Sequence, residues 1–205
     1  KMLIIDHHLS GDVPAAWRYI DGQAAAACEV LADLIEQLCG DYSRVIGEAL
    51  FVGIASDTGW FRFSNTRPQT HTLAAKLLKQ GIDQADLHAK LEQNERAQKL
   101  KLMIRALDSL ELIANERAAV MVLRAEDFTQ TGATSEDTDR FVDLPQVVGS
   151  VQLVVLITQP PEHQDKPNGL SFRSKPGTQA VNVSVLAQQF GGGGHARAAG
   201  AKVAG

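Results

Sequence analysis

Apolar residues recur along the chain in two patterns, as short continuous runs and as longer stretches with helical spacing. Their alternation is typical of α/β proteins, in which buried strands and amphipathic helices form layers. Residues 2–5 form the first run and predict a buried strand. Helical spacing over 21–40 predicts a helix that ends at Gly40. The apolar segment 45–55 fits a strand or a helix, and we favour a helix because one of its faces keeps the helical spacing.

Further helical patterns fill the middle of the chain. Pro68 is typical of a first helical turn, and the pattern runs to about Gln80. The charged segment 83–113 predicts a long helix in its second half, because apolar residues recur there at three- and four-residue steps. These residues are Leu100, Met103, Ile104, Leu107, Leu110 and Ile113.

After residue 115 the pattern changes to short strands separated by turns. Runs at 118–123, 151–158 and 170–173 predict strands, and the polar segment 160–168 predicts a turn. A short helix is expected over 181–190. This change of texture indicates that a second folding unit begins here.

The pattern therefore divides the chain into three parts. We expect a first domain over 1–94, a linker helix over 95–115 and a second, smaller domain over 116–205. Long helices with a polar face often connect domains, which favours the middle assignment. The expected fold class is α/β, with a mixed α/β second domain.

Composition and charge exclude several classes of function. Hydrophobic residues make up 44% and charged residues 21% of the 205 residues, which is typical of a folded globular protein. The net charge of −4 provides no global basic field for long duplex DNA. Two cysteines cannot form a disulfide framework, and the apolar runs are too short for a membrane span. We therefore expect a cytoplasmic protein without a membrane or duplex-DNA partner.

Asp6, His7 and His8 directly follow the first predicted strand. In open α/β folds the ends of such strands carry ligand-binding residues. Neighbouring histidines point in different directions, so one could bind a metal ion while the other faces a substrate phosphate, with Asp6 orienting an imidazole. Two solvated histidines at a strand end are the alternative for the triplet taken alone.

Asp57 follows the apolar segment 45–55, within the sequence Ser56-Asp57-Thr58-Gly59. A carboxylate at such a place is costly to bury unless it is paired or bound to a cation. Asp57 is therefore a second candidate for metal chemistry. An ordinary helix end or turn is the alternative.

A third group of polar and small residues lies in the second domain. Arg173, on a predicted strand, has a planar guanidinium that suits phosphate or carboxylate. Gly191 to Gly194 can present backbone N–H groups to an anion, and His195 and Arg197 add donors beside them. A flexible connector after a helix is the alternative for the glycine run.

Together, three stretches resemble the DHH phosphoesterase superfamily, in the branch whose DHH-associated domain has a terminal glycine-rich motif. The stretches occur in family order over essentially the whole chain, and they are similar to those of bacterial bifunctional oligoribonucleases and 3′-phosphoadenosine 5′-phosphate (PAP) phosphatases. They are Ile4-Ile5-Asp6-His7-His8; Gly53-Ile54-Ala55-Ser56-Asp57-Thr58-Gly59 with Phe61-Arg62-Phe63-Ser64-Asn65-Thr66; and Ser171-Phe172-Arg173-Ser174-Lys175 with Phe190-Gly191-Gly192-Gly193-Gly194-His195 and Ala198-Ala199-Gly200.

The resemblance implies a fold and an activity. Residues 1–94 would be the C-terminal part of a doubly wound, parallel-sheet DHH catalytic domain, and residues 116–205 the DHH-associated, substrate-binding domain. Family members hydrolyse phosphoesters with two divalent cations, usually Mn²⁺, although other divalent cations are compatible with such ligands. Short oligoribonucleotides, PAP and linear or cyclic dinucleotides are the expected substrates, and a homodimer is compatible with the resemblance.

The resemblance also implies a role for each motif residue. His7 and Asp57 would bind metal, Asp6 would support the site, and His8 would face the scissile phosphate or the attacking water. Residues of the second domain would hold the substrate across a cleft, with help from Arg62. These substrate-binding residues are Ser171, Arg173, Gly192, Gly193, Gly194 and His195.

One departure from the family pattern concerns the metal site. The family's first two motifs, a His with an Asp-x-Asp pair and then a further Asp, would precede Lys1. Two protein ligands hardly fix two catalytic cations, so we expect a fragment of an enzyme with little or no activity by itself. The alternatives are a non-catalytic nucleotide-binding or regulatory module and a RecJ-like single-strand DNA exonuclease, against which the acidic charge balance argues.

Overall fold

The computed structural model describes residues 2–8, 13–159, 167–178 and 180–204. Contacts within the chain divide it into two compact units, residues 1–94 and residues 95–205. Residues 160–166 of the predicted polar turn lie outside the described residues. Within the described part, none of the helices has the length and apolar character that crossing a membrane requires.

The first unit combines a pair of strands with four helices. Strands β1 and β2 pair in parallel, with Asp6 opposite Ile20, so both strands end at the same edge. The residues that follow them, His7 on one side and the segment 21–26 on the other, therefore leave the sheet together. The elements are β1 (Leu3–Asp6), β2 (Trp17–Ile20), α1 (Ala27–Cys39), α2 (Arg44–Asp57), α3 (Pro68–Leu78) and α4 (Gln84–Glu92).

Helix α2 forms the centre of this unit. Phe51 and Ile54 on α2 are fully buried, as is Leu77 on α3. At Gly53 the neighbouring helix comes so close that an added Cβ would lie 2.2 Å from the Cys28 sulfur. The predicted helices over 45–55 and from Pro68 are confirmed, and the first predicted strand is confirmed as β1.

The second unit is built on a six-stranded sheet with the order β3-β4-β5-β6-β8-β7. Only β4 and β5 pair in parallel; the other described pairs are antiparallel. This mixed sheet with helices confirms the predicted mixed α/β class. The elements are α5 (Ala97–Asp108), β3 (Glu111–Ile113), β4 (Ala118–Leu123), α6 (Ala125–Thr131), the 3₁₀ segments Ser135–Thr138 and Phe141–Val147, β5 (Leu153–Thr158), β6 (Asn168–Ser174), α7 (Val183–Gln188), β7 (Gly193–His195) and β8 (Ala198–Val203).

Each face of this sheet packs against different elements. Val154 and Leu156 on β5 lie in a core with Phe141 of the second 3₁₀ segment. Phe172 on β6 lies in a separate core with Val183 of α7. The side chains of Val154 and Leu156 therefore point to the sheet face that the second 3₁₀ segment covers.

The long helix predicted to run through Ile113 is wrong. Helices α4 and α5 are separate, and the chain continues after α5 as strand β3, which pairs with β4. The buried apolar residues of α5 are Leu102 and Ala106, whereas Leu100, on the predicted apolar stripe, is 60% exposed. The apolar spacing that predicted one long helix included residues of helix α5 and residues of strand β3. These residues do not lie on a common helix, so the predicted apolar stripe does not exist.

Candidate active site

The carboxylate of Asp6 organises the residues that follow β1. Its Oδ1 accepts hydrogen bonds from the backbone N–H groups of His7 (2.7 Å) and His8 (3.3 Å) and from Nδ1 of His8 (2.9 Å). The side-chain hydrogen bond from His8, followed by the two backbone hydrogen bonds, lowers the pKa of Asp6 to about 2. Asp6 is therefore an anion that fixes the orientation of the His8 imidazole.

The ring of His7 is held in one tautomer by the backbone. Its Nδ1 donates to the carbonyl oxygen of Ala24 at 3.2 Å, and because a carbonyl can only accept, the proton lies on Nδ1. In the neutral ring, Nε2 therefore carries a lone pair. This nitrogen lies 3.6 Å from Oδ2 of Asp57, and the His7 side chain is only 16% exposed.

The residues present fit a divalent cation. At 3.6 Å, Nε2 of His7 and Oδ2 of Asp57 are too far apart for a strong hydrogen bond, and two acceptors that face each other repel unless a proton or a cation lies between them. Metal–ligand bonds of roughly 2.1 Å place two ligand atoms of one ion about 3 to 4 Å apart. A hydrogen bond from Nδ1 to a carbonyl is also how proteins orient metal-binding histidines.

A second grouping of donors shares His7 with this pair. Asp6, His7 and His8 each place one potential ligand atom within 4.8 Å of the others. However, Oδ1 of Asp6 already accepts three hydrogen bonds and Nδ1 of His8 supplies one of them. The His7–Asp57 pair therefore fits a cation better than the triplet does, and Asp6 holds the imidazole of His8 by a hydrogen bond.

The end of α2 places Asp57. The hydroxyl of Thr58 donates to the Ile54 carbonyl at 2.6 Å and accepts from the Phe61 N–H at 3.1 Å, which closes a tight turn directly after Asp57. Gly59 adopts a φ of 55°, and an added Cβ there would lie 2.4 Å from the ring of Phe63. Only glycine fits this position without displacing its neighbours.

Arg62 follows this turn and contributes to its closure. Its Nε donates to the Gly59 carbonyl at 2.7 Å, so part of the guanidinium is used inside the turn. Trp60, also in the turn, donates from Nε1 to Oε1 of Glu92 at 3.1 Å. The substrate-binding role of Arg62 stays a prediction.

In the second unit, the strand register brings the predicted binding residues onto one face. Arg173 lies opposite Ala198, which lies opposite His195; Ser171 lies opposite Gly200 in the next such row. Residues directly opposite each other in antiparallel strands share a face, so Ser171, Arg173 and His195 point to the same side. Ala198 and Gly200, which lie between these residues, are small.

A cavity of about 310 Å³ lies beside Arg173 and Ser171. Arg140 and Thr138, from the region of the two 3₁₀ segments, also line it. Nε of Arg173 donates to Oδ1 of Asp143 at 3.0 Å, which fixes the direction of the guanidinium. The sequence analysis did not single out Asp143 or Arg140, because neither forms a motif with Arg173 along the chain.

The first two backbone amides of the glycine run form hydrogen bonds within the fold. The N–H groups of Gly191 and Gly192 donate to the carbonyls of Gln188 (3.1 Å) and Ala187 (2.9 Å), at the end of α7. The prediction that these two amides bind an anion is therefore wrong, because the helix end already uses them. Gly193, Gly194 and His195 form the exposed edge strand β7. Their roles in substrate binding stay predictions.

Comparisons with known proteins give the same family as the motifs. The chain is 32% identical over 202 residues to the bifunctional oligoribonuclease and PAP phosphatase NrnA of Thermus thermophilus, covering 98% of this chain and 58% of the relative. It is 28% identical to the probable NrnA of Streptococcus mutans, covering 98% of this chain and 62% of the relative. The chain is therefore a homologue of proteins named as bifunctional oligoribonucleases and PAP phosphatases. It spans about three fifths of the length of these relatives, and no family model matches it.

Solved structures support the fold. An exopolyphosphatase-related protein from Bacteroides fragilis superposes with a TM-score of 0.87 at 24% identity, covering 99% of this chain and 58% of that protein. A pGpG-specific phosphodiesterase from Vibrio cholerae superposes with a TM-score of 0.51 at 15% identity, covering 98% and 74%. At these identities the likeness shows that the fold is shared, while the chemistry of the site depends on its own residues.

Proposed function

We propose that the protein acts as a metal-dependent phosphoesterase on short oligoribonucleotides or small phosphorylated nucleotides. The observation that carries this proposal is the pair of acceptors, Nε2 of His7 and Oδ2 of Asp57, that face each other at 3.6 Å. The relatives named as oligoribonucleases and PAP phosphatases support the choice of substrate class.

His7 and Asp57 would hold a divalent cation, and Mn²⁺ suits their mixed imidazole and carboxylate donors. When bound, such a cation lowers the pKa of a coordinated water and offsets charge on the phosphate. His8, whose side chain is 69% exposed and whose Nδ1 is held by Asp6, would exchange a proton with the substrate or the attacking water through Nε2. The Asp6 anion stabilises the protonated imidazole that forms in this step.

The second unit would bind the nucleotide. The guanidinium of Arg173 provides charged hydrogen-bond donors for a phosphate, and its hydrogen bond to Asp143 fixes its orientation. Ser171 and His195 add hydrogen-bonding groups on the same face of the sheet. Gly193 leaves open space above the backbone, since an added Cβ there would meet no atom within 4 Å.

Steady-state kinetics with a linear diribonucleotide and Mn²⁺ test this proposal. We expect release of nucleoside 5′-phosphate by the intact protein, in which the variants below are made. His8→Ala should lower kcat by about 10²- to 10⁴-fold, because a proton-transfer group is lost. Arg173→Ala should chiefly raise KM. Arg44→Ala is a matched control on the surface of the first unit, where Arg44 pairs only locally with Glu48, and it should leave the kinetics unchanged.

Two outcomes would argue against the proposal. If His8→Ala and Arg173→Ala both kept the unmodified kinetics, the assignment of the site would be wrong. Nucleotide binding without turnover, with or without added metal, would favour the non-catalytic nucleotide-binding module instead.

A cytoplasmic location and a homodimer stay predictions, which cell fractionation and light scattering would check.

A further inference from the structure

Asn65, in the connection between α2 and α3, links two segments of the candidate metal site. Its Nδ2 donates to the carbonyl oxygen of Ala25 at 2.9 Å and to the carbonyl oxygen of Asp57 at 3.1 Å. Both partners are carbonyl oxygens, so the group between them must be the NH₂ of the amide. Both hydrogens of that group are used, one for each segment.

The two segments are those that place the candidate ligands. Asp57 is itself a ligand candidate, and Asn65 holds its backbone. Ala25 is the neighbour of Ala24, whose carbonyl accepts from Nδ1 of His7. Asn65 therefore connects the backbone of one candidate ligand to the residue next to the one that orients the other.

The peptide of Ala25 is held from its other side as well. Its N–H donates to Oε2 of Glu29 at 2.7 Å, and the same oxygen accepts from Nη2 of Arg67 at 2.7 Å. Glu29 is only 7% exposed. Asn65 directly, and Arg67 through Glu29, thus restrain both backbone polar groups of Ala25. The Ala25 N–H lies in the same peptide group as the Ala24 carbonyl, so this restraint extends to the carbonyl that orients His7.

We propose that Asn65 is a positioning residue, which sets the separation between Nε2 of His7 and Oδ2 of Asp57 for cation binding. This inference rests on the proposed metal-dependent function. An aspartate at this position would place a carboxylate against two carbonyl oxygens, and a serine could donate to only one of them. The side-chain amide is therefore needed for its two hydrogens, not only for its size.

A Mn²⁺ titration followed by electron paramagnetic resonance measures the effect on binding. Asn65→Ala should raise the Mn²⁺ dissociation constant by about 10- to 100-fold, as expected for loss of an outer partner of metal ligands. Asn65→Ser should give an intermediate value because one hydrogen bond can remain. Tyr42→Phe is the matched control: it removes a hydrogen bond to the Ala32 carbonyl in the same unit, at 3.1 Å, without touching either ligand segment.

The tautomer of His7, measured by ¹⁵N NMR in metal-free protein above pH 8, provides a second readout. The unmodified protein and Tyr42→Phe should show protonation at Nδ1, whereas Asn65→Ala should show a mixture of tautomers. A lower thermal stability with unchanged Mn²⁺ affinity and an unchanged tautomer would overturn the positioning role. If the unmodified protein binds no Mn²⁺, the proposed function fails, and the tautomer alone decides the role of Asn65.

Discussion

The two candidate regions of this protein are constructed in different ways. In the first unit, side chains at the ends of β1 and α2 are fixed by hydrogen bonds that cross long distances in sequence, such as those of Asn65. In the second unit, Ser171, Arg173 and His195 share a face because the register of β6, β8 and β7 puts them there. The residues between them, Ala198 and Gly200, are small.

This difference separates two kinds of sensitivity. The first region should respond to changes of charge and hydrogen-bonding capacity at constant shape. The second region should respond to the volume added to the backbone between its functional side chains. Substitutions that change one property and keep the other can therefore test the comparison.

The largest effect should follow the loss of charge at Asp57. Asp57→Asn keeps the shape of the side chain but removes the anionic oxygen that faces Nε2 of His7. We expect Mn²⁺ affinity to fall by at least about 100-fold, more than for the loss of an outer partner. Isothermal titration calorimetry with Mn²⁺ measures this change.

Asp86→Asn is the control for Asp57→Asn, because Asp86 forms only an exposed pair with Lys90 on α4. Its Mn²⁺ affinity should equal that of the unmodified protein. Equal affinities for Asp57→Asn and the unmodified protein would show that Asp57 is not a ligand.

Added side-chain volume should lower the free energy of unfolding most at Gly192. An added Cβ there would lie 2.1 Å from the carbonyl oxygen of Gly200 and 2.5 Å from the Cβ of Ala201. Gly192→Ala should therefore lower the free energy of unfolding by roughly 1 to 3 kcal/mol, because the backbone must shift. Urea denaturation monitored by circular dichroism measures the loss.

Gly193→Ala provides the matched comparison, since the same methyl group at the next position meets no atom within 4 Å. Its free energy of unfolding should change by no more than about 0.5 kcal/mol. Similar losses for the two variants would mean that the close approach of β8 does not set the tolerance of the glycine run.

The sequence predicts those parts of the fold that a local pattern determines. The helix at Arg44–Asp57 and the strand at Ala118–Leu123 follow from apolar runs that agree with their final environment. The prediction for the α5 region failed because Leu100 is exposed while Ala106, a small residue that contributes little to the hydrophobic pattern, is buried. Burial there depends on the sheet that α5 contacts, which the local pattern does not describe.

The residues of the candidate site also divide into those that the local sequence marks and those that it does not. Asp6, His7 and Asp57 could be singled out because their residue types carry chemistry and adjoin apolar runs. The carbonyl of Ala24, which orients His7, carries no signal because every residue has a carbonyl. The strand Gly193–His195 could not be predicted from its own residues either, because its pairing partner β8 gives it its structure.

The smallest effect concerns the 3₁₀ segments that line the cavity beside Arg173. Asp137 is 7% exposed; burial raises its pKa, but hydrogen bonds from the Thr134 N–H and from Arg96 outweigh burial, so the net pKa is lowered. A lowered pKa stabilises the fold above the carboxyl's ordinary value of about 3.9, and this stabilisation is lost as the pH falls through the lower, folded-state pKa. Asp137→Asn should remove this acid-dependent part and lower stability at pH 7 by about 1 kcal/mol.

Urea denaturation at pH 7 and at pH 3 measures the contribution of Asp137. The difference between the unmodified protein and Asp137→Asn should shrink at pH 3, because the carboxyl of the unfolded chain, with its ordinary pKa of about 3.9, is then mostly protonated and part of the stabilisation is lost. Asp139→Asn is the control, since the Asp139 side chain is 74% exposed and its nearest charge, Nε of Arg140, lies 3.9 Å away. A difference for Asp137→Asn that stays constant with pH would mean that Asp137 stabilises the 3₁₀ segment through shape and hydrogen bonding alone, without its charge.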